Sequence, residues 1–289
     1  MRDFAYHRPA SLEEARRLAK QNGALLLAGG QSLLRDMKLG RHSPASLVDI
    51  TGLLPHQIAA RDGAISIGAG ATHADVSASP VLRQHLPVLA SLVGHIGDPA
   101  VRNRGTLGGA IAANEPAGDY PAACLALSVT VCTTEREVHS QEFFTGNCRT
   151  VLQPGEIVEA VTFPIPSKAA YIKFLNPAAR YAMVGVFVSV ASDGSPHVAV
   201  TGARDNGAFR WTEAEKALTS VFSEHSVRDL HLPLDGLIED VFADAEYRAH
   251  LAEVLTKRAV GLAARDMPQA IVLSHGSRLG RELFHPQAA

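Results

Sequence analysis

Two stretches of this chain are built alike, and together they restrict the fold more than any other feature. Leu27-Ala28-Gly29-Gly30-Gln31-Ser32 and Thr106-Leu107-Gly108-Gly109-Ala110 each set a Gly-Gly pair beside a hydroxyl residue and small apolar neighbours. Glycine has no Cβ, so a ligand can come close to the main chain and the amides can turn towards an anion. One Gly-Gly pair marks a turn more often than a ligand, but two with matched flanks point to a diphosphate gripped from two sides. Neither is the G-x-G-x-x-G fingerprint, Gly68-Ala69-Gly70 lacks the third glycine, and there is no Walker A sequence, which disfavours Rossmann and P-loop folds.

The periodicities around the loops mix helix and strand. Ser11-Leu12-Glu13-Glu14 has the form of a capping box, and Leu12, Ala15, Leu18 and Ala19 then share a helical face until Asn22-Gly23 stops it. Ala24 to Ala28 reads as a buried strand delivering the first loop, and Ser46 to Ile50 as a second strand with Val48 inside. Ala64 to Gly68 alternates like a strand, Leu82 to Val93 reads as one helix, and strands are expected at Val129 to Thr133 and Ile157 to Phe163. Pro164-Ile165-Pro166-Ser167 breaks the pattern. It sets a boundary between residues 1–166, with lobes of about 1–55 and 56–166, and residues 167–289. In the second unit Val184, Val186, Val188 and Val190 share a strand face, and Val198 to Gly202 is the hairpin partner. A helix is expected over Asp244 to Ala264, with Tyr247, Leu251, Val254, Leu255, Arg258 and Leu262 on one stripe. Strands followed by helices make this unit α+β.

Composition excludes several classes of function. With 289 residues and 46% hydrophobic content the chain can build two cores. A formal net charge of −2 draws it to neither nucleic acid nor an anionic membrane. The longest apolar runs, Ala122 to Cys132 and Val184 to Ala191, fall short of the ~18 residues of a membrane helix. Met1-Arg2-Asp3-Phe4 shows no signal-peptide pattern, so a cytoplasmic protein is expected. Cys124, Cys132 and Cys148 have no C-x-x-C spacing and are expected as reduced, inert thiols. No H-E-x-x-H or G-x-S-x-G occurs, and His73 and His95 read as surface or loop residues.

Polar residues follow the second loop in a Pro/Gly turn, Ala112-Ala113-Asn114-Glu115-Pro116-Ala117-Gly118-Asp119-Tyr120-Pro121. Asn114 and Asp119 are placed to hydrogen-bond a ribose, a base or a ring edge; Asp119 as N-cap of a helix from Ala122 to Leu127 is the plainer reading. Arg102 and Arg104 either approach a diphosphate, face a partner or stand solvated.

Ala28 to Ser32 with Met37-Lys38-Leu39, then Ile96-Gly97, Val101 to Gly109 and Pro116 to Ala123, closely resemble the FAD-binding medium subunit of the xanthine dehydrogenase and carbon monoxide dehydrogenase (molybdenum hydroxylase) family. Tyr171-Ile172-Lys173-Phe174, Arg180 to Val184 and Tyr247 to Leu251 extend the likeness over nearly the whole chain. The resemblance implies an α+β protein: a two-lobed FAD-binding domain of the vanillyl-alcohol-oxidase (PCMH) type, then a smaller α+β C-terminal flavoprotein domain. It also implies non-covalent FAD and cofactor-binding roles for Ala28, Gly29, Gly30, Gln31, Ser32, Leu33, Ile96, Thr106, Gly108, Gly109, Asn114, Asp119 and Lys173, with no catalytic side chain and no metal ligand. Three departures stand out. Arg35-Asp36 replaces a common Pro-Met, Gly40 a usual Arg, and Asn114-Glu115 a common His-Ala.

What the resemblance implies for activity is electron transfer within a complex. In that family a large subunit holds molybdenum-pterin and a small subunit holds two [2Fe–2S] clusters, each needing four Cys ligands. The resemblance places both on partner subunits, in a dimer of heterotrimers; three cysteines are too few for even one four-Cys cluster. Two rivals are a self-sufficient flavin oxidoreductase, which needs a substrate acid or base not evident here, and a non-catalytic nucleotide-binding module. The substrate and the terminal acceptor (NAD, quinone or oxygen) are not legible.

Overall fold

The structure is a computed structural model that describes residues 3–265 and 270–274. Residues 275–289 of the expected C-terminal unit lie outside the described residues. The fold is α+β. A three-stranded parallel sheet sets Ser46–Asp49 between Ala5–His7 and Ala24–Leu27. A five-stranded antiparallel sheet runs Ile58–Arg61, Ala64–Gly68, Val158–Pro164, Thr130–Thr133, Glu137–His139. The third sheet runs Phe209–Arg210, Pro196–Thr201, Ala182–Val190, Lys168–Leu175, Ala270–Leu273, only the last pairing parallel.

The first helix, Leu12–Ala19, opens with the Ser11 hydroxyl accepting from Glu14 N at 3.2 Å, while the Glu14 carboxylate accepts from Ala10 N at 2.9 Å, one residue before the cap. Ala15 and Val48 are sealed inside. The single helix expected over Leu82 to Val93 is instead two, Pro80–His85 and Pro87–Gly94. Leu86 between them takes φ −145°, because a proline ring clashes with a preceding residue in the α region and lacks the N–H the helix needs.

The expected one-sided strand at Val184 to Val190 is covered on both faces. Val184, Val186 and Val188 join the core under the helix Ala245–Ala264. On the other face Phe187 packs with the core of the preceding unit, and the Ser189 hydroxyl donates to Ala126 O at 2.6 Å. That contact belongs to the helix Asp119–Leu127, buried along its whole length. The helix Ala245–Ala264 is also turned relative to the expected stripe. Leu251, Ala252, Leu255, Ala259 and Val260 face the sheet, while Tyr247, Val254, Arg258 and Leu262 are half-buried. Small alanines allow close approach, and Arg248 is buried with them, its guanidinium donating to Met183 O, Gly202 O and Asp240.

Candidate functional site

The two glycine loops meet. Gly29 has no room for a side chain because a Cβ would stand 2.8 Å from Gly105 Cα and run into Arg104 O. Gly108 is packed in the same way against Ala69, 2.6 Å from a hypothetical Cβ to Ala69 Cβ. These glycines serve the approach of chain to chain. Gly109 differs: its Cβ would meet only the Thr106 hydroxyl, at 2.9 Å, and Ala28 Cβ at 3.9 Å.

The loops also differ in how their amides are used. Thr106 is the N-cap of the helix Leu107–Ala113, its Oγ1 accepting from Gly109 N at 3.2 Å, while Leu107 N donates to Ala71 O and Gly108 N to Ala69 O. The amides of Leu107, Gly108 and Gly109 are therefore satisfied within the protein. In the first loop, among the described residues, the amides of Gly29, Gly30, Gln31 and Ser32 have no acceptor, and the Ser32 hydroxyl caps nothing. Gly30 takes φ 72°, the left-handed conformation that turns the chain at this point.

Two adjoining cavities flank this junction, about 610 Å³ and about 490 Å³, each in the range of small-molecule sites. Gln31, Ser32, Arg35, His73, Ala110 and Glu115 line both. The larger has an apolar wall of Leu25, Leu26, Leu27, Ile50 and Leu54, with Ala28, Leu33, Thr106, Gly108 and Gly109 at the loops. The smaller is bounded by Ile96, Gly97, Asp119, Tyr120 and Tyr181.

Asp119 is not the cap of its helix; Gly118 holds that position. Its carboxylate instead accepts from the Tyr171 hydroxyl and from Lys173 Nζ at 2.9 Å. Lys173 is wholly buried, and its other two protons point to Arg180 O at 3.3 Å and His95 O at 3.4 Å, so it stands behind Asp119 without lining either cavity. Gly185, paired with Lys173 across the sheet, leaves the slot for the Tyr171 hydroxyl, which any Cβ there would strike. Burial, then Asp119, pushes the Tyr171 phenol well above its ordinary range, so it stays protonated and donates.

Asn114 does not face the cavities either. It is the left-handed C-cap of its helix, φ 41°, and its Nδ2 donates to Gly146 O and Arg149 O, both at 2.8 Å. Arg102 donates to Ile96 O and Gly97 O and so braces the rim; Arg104 is exposed. Among the described residues no group of three His, Cys, Asp or Glu could hold a metal, and no helix is long and apolar enough to cross a membrane. Cys124 is buried, Cys132 half-buried and Cys148 exposed at the edge of the larger cavity.

Residues missed by the sequence reading complete the site. Arg35 reaches Glu115 at 2.8 Å and the Tyr181 hydroxyl at 2.8 Å, joining both loops to the C-terminal unit across the smaller cavity. Burial works against the Arg35 charge, but Tyr181 and Glu115 outweigh it and hold the guanidinium more basic than usual. Arg35 and Glu115 lie in the dipeptides that depart from the family pattern, which was the signal available. His73, expected at the surface, is buried at the first position of the helix His73–Ala78, and the capping box of Thr72 and Asp75 that starts this helix was legible.

A family model described as the FAD binding domain in molybdopterin dehydrogenase matches residues 2–166. The chain is 32% identical over 277 residues to the carbon monoxide dehydrogenase medium chain of Hydrogenophaga pseudoflava, covering 90% of this chain and 96% of that one. It is 31% identical to the glyceraldehyde dehydrogenase medium chain of Sulfolobus acidocaldarius, covering 89% and 97%. Among solved structures, quinoline 2-oxidoreductase from Pseudomonas putida superimposes with a TM-score of 0.81 at 28% identity, covering 92% of this chain and 99% of that one. The chain belongs to the FAD-binding medium subunits of the molybdenum hydroxylase family.

Proposed function

We propose that this chain takes electrons from the [2Fe–2S] clusters of an iron–sulfur partner subunit, fed by a molybdenum subunit, and passes them through FAD to a terminal acceptor, in the cytoplasm and within a dimer of heterotrimers. The observation that carries the reading is the row of unsatisfied amides at Gly29, Gly30, Gln31 and Ser32, beside the free Ser32 hydroxyl, at the junction of the two cavities. Backbone donors without acceptors suit a diphosphate. Gly109 leaves space on the opposite side, and Thr106 braces it. The apolar compartment of Leu25 to Leu27 would receive the adenine end, and Ile96 and Asp119 the flavin ring end. Asn114 and Lys173 would act from behind, as supports of the wall.

FAD supplies exchange of electrons singly with clusters and in pairs with an acceptor; the protein's part is orientation, electrostatics and access. The Asp119–Lys173 ion pair would present its carboxylate to the ring end, and the Arg35–Glu115 pair would stand across the mouth of the smaller cavity. Reconstituted with FAD, the chain should turn yellow, release the colour on acid precipitation, and be reduced rapidly only with both partners and their substrate present. Rapid substrate-specific reduction of the isolated chain would overturn the reading.

A further inference from the structure

We propose that His73 is a cofactor-binding residue whose Nε2–H donates to an oxygen of the ribityl–diphosphate segment, where that segment crosses from one cavity to the other. The inference rests on the FAD reading and assigns to it a side chain that the sequence placed at the surface. Of the residues that line both cavities, His73 is the one that is almost wholly buried and has no hydrogen-bond partner for its side chain. The backbone amide of His73 donates to Gly105 O at 2.9 Å, which ties the ring to the second glycine loop. Gly105 makes room for it: a Cβ there would stand 2.6 Å from Nε2 and 2.8 Å from Cδ2. On its other side the ring rests tilted on Tyr120, centroids 5.5 Å apart.

The two nitrogens are not equivalent. Nδ1 is sealed in the protein without a partner, whereas Nε2 is not sealed and has no protein partner either. Burial, and then the Arg102 charge, brings the imidazole down to about 4, so at neutral pH the ring carries one N–H and one lone pair. An orphaned buried N–H is the rarer arrangement in folded proteins, an under-satisfied acceptor the commoner. The proton therefore belongs on Nε2, and a donor faces the space between the loops. The first loop presents amides there, and all of these are donors as well. The chemistry that satisfies both sides is a chain of acceptor oxygens.

The test is FAD titration of the full apo chain, with His73→Leu and His73→Gln beside the parent and circular dichroism of each. A hydrogen bond to a neutral ribityl hydroxyl or to a charged diphosphate oxygen corresponds to roughly 3- to 100-fold in affinity. His73→Leu should lose that factor and His73→Gln, which keeps a donor, should recover part of it. Independently of folding in the variants, 15N-histidine spectra of the parent should show the Nε2–H signal of His73 shift and become protected when FAD is added. Equal FAD affinity in parent and His73→Leu, or an unmoved His73 signal in a parent that binds FAD, would overturn the proposal and leave the FAD reading standing. A parent that takes up no FAD would overturn both.

Discussion

Gly29 and Gly109 look interchangeable in sequence, yet replacing them should have opposite consequences. A Cβ at Gly29 would lie 2.8 Å from Gly105 Cα and deeper still into Arg104 O, where ordinary contact starts near 3.4 Å. Both obstacles are main chain, so no rotamer relieves the clash and the two loops must part. Overpacking costs about 1–3 kcal/mol, and strain on two backbones at once puts Gly29→Ala near the upper end. For a chain of this size each kcal/mol moves the melting temperature by about 2–4 °C, so apo Gly29→Ala should melt on the order of 5–10 °C below the parent. Gly109→Val meets only the Thr106 hydroxyl and then the cavity, losing at most that helix cap, about 1 kcal/mol, so its apo melting should stay within about 4 °C of the parent while FAD is lost. Calorimetric melts of the apo forms and FAD titrations separate the two. Parent-like melting of Gly29→Ala would refute the claim that this glycine exists for the contact between loops.

Lys173→Met should destabilise the chain by about 3–5 kcal/mol, because it strands the buried Asp119 carboxylate; Asp119→Asn in the same chain should restore part of that. A denaturant series checks it, and parent-like stability of the single variant would contradict the buried pair. Between pH 6.5 and about 4 the unfolded chain takes up a proton that folded His73 refuses, so stability rises with pH through this window and is lost below it, by up to about 3 kcal/mol from this group. His95 and His197 are held low in the same direction, by burial first. Melting temperatures across the window should fall towards acid, and His73→Gln should flatten the slope; an unchanged slope would count against a buried neutral ring. Arg35→Ala should cost no more than about 1 kcal/mol, since the side chain is 38% exposed, but should speed FAD release, as followed by flavin fluorescence. Unaltered release would deny Arg35 any closing role.

What could be read in advance followed local rules. The strand before the first glycine loop, the Ser11 cap and the hairpin of Val184 to Gly202 depend on spacing within a few residues. Tertiary choices escaped. Nothing local distinguishes a glycine facing a ligand from one facing another backbone, so Gly29, Gly108 and Gly109 looked alike. Asp119 was read as a cap because the partners that redirect its carboxylate, Tyr171 and Lys173, lie 52 and 54 residues away. The break at Leu86 was legible from Pro87 and was outweighed by the apolar run. Arg35 and Glu115 were noticed as departures 80 residues apart, and only the fold shows that they pair.

The match to the flavin-domain model ends at residue 166, yet the carboxylate of Asp119 inside that match is satisfied entirely from the strand Lys168–Leu175 beyond it. The sequence boundary is therefore not a line along which the protein can be recombined. A chimera carrying residues 3–166 on a foreign C-terminal unit would inherit a buried acid without its counter-ion. Shuffling among medium subunits would have to move that strand, and the glycine that clears its tyrosine, together with the flavin domain.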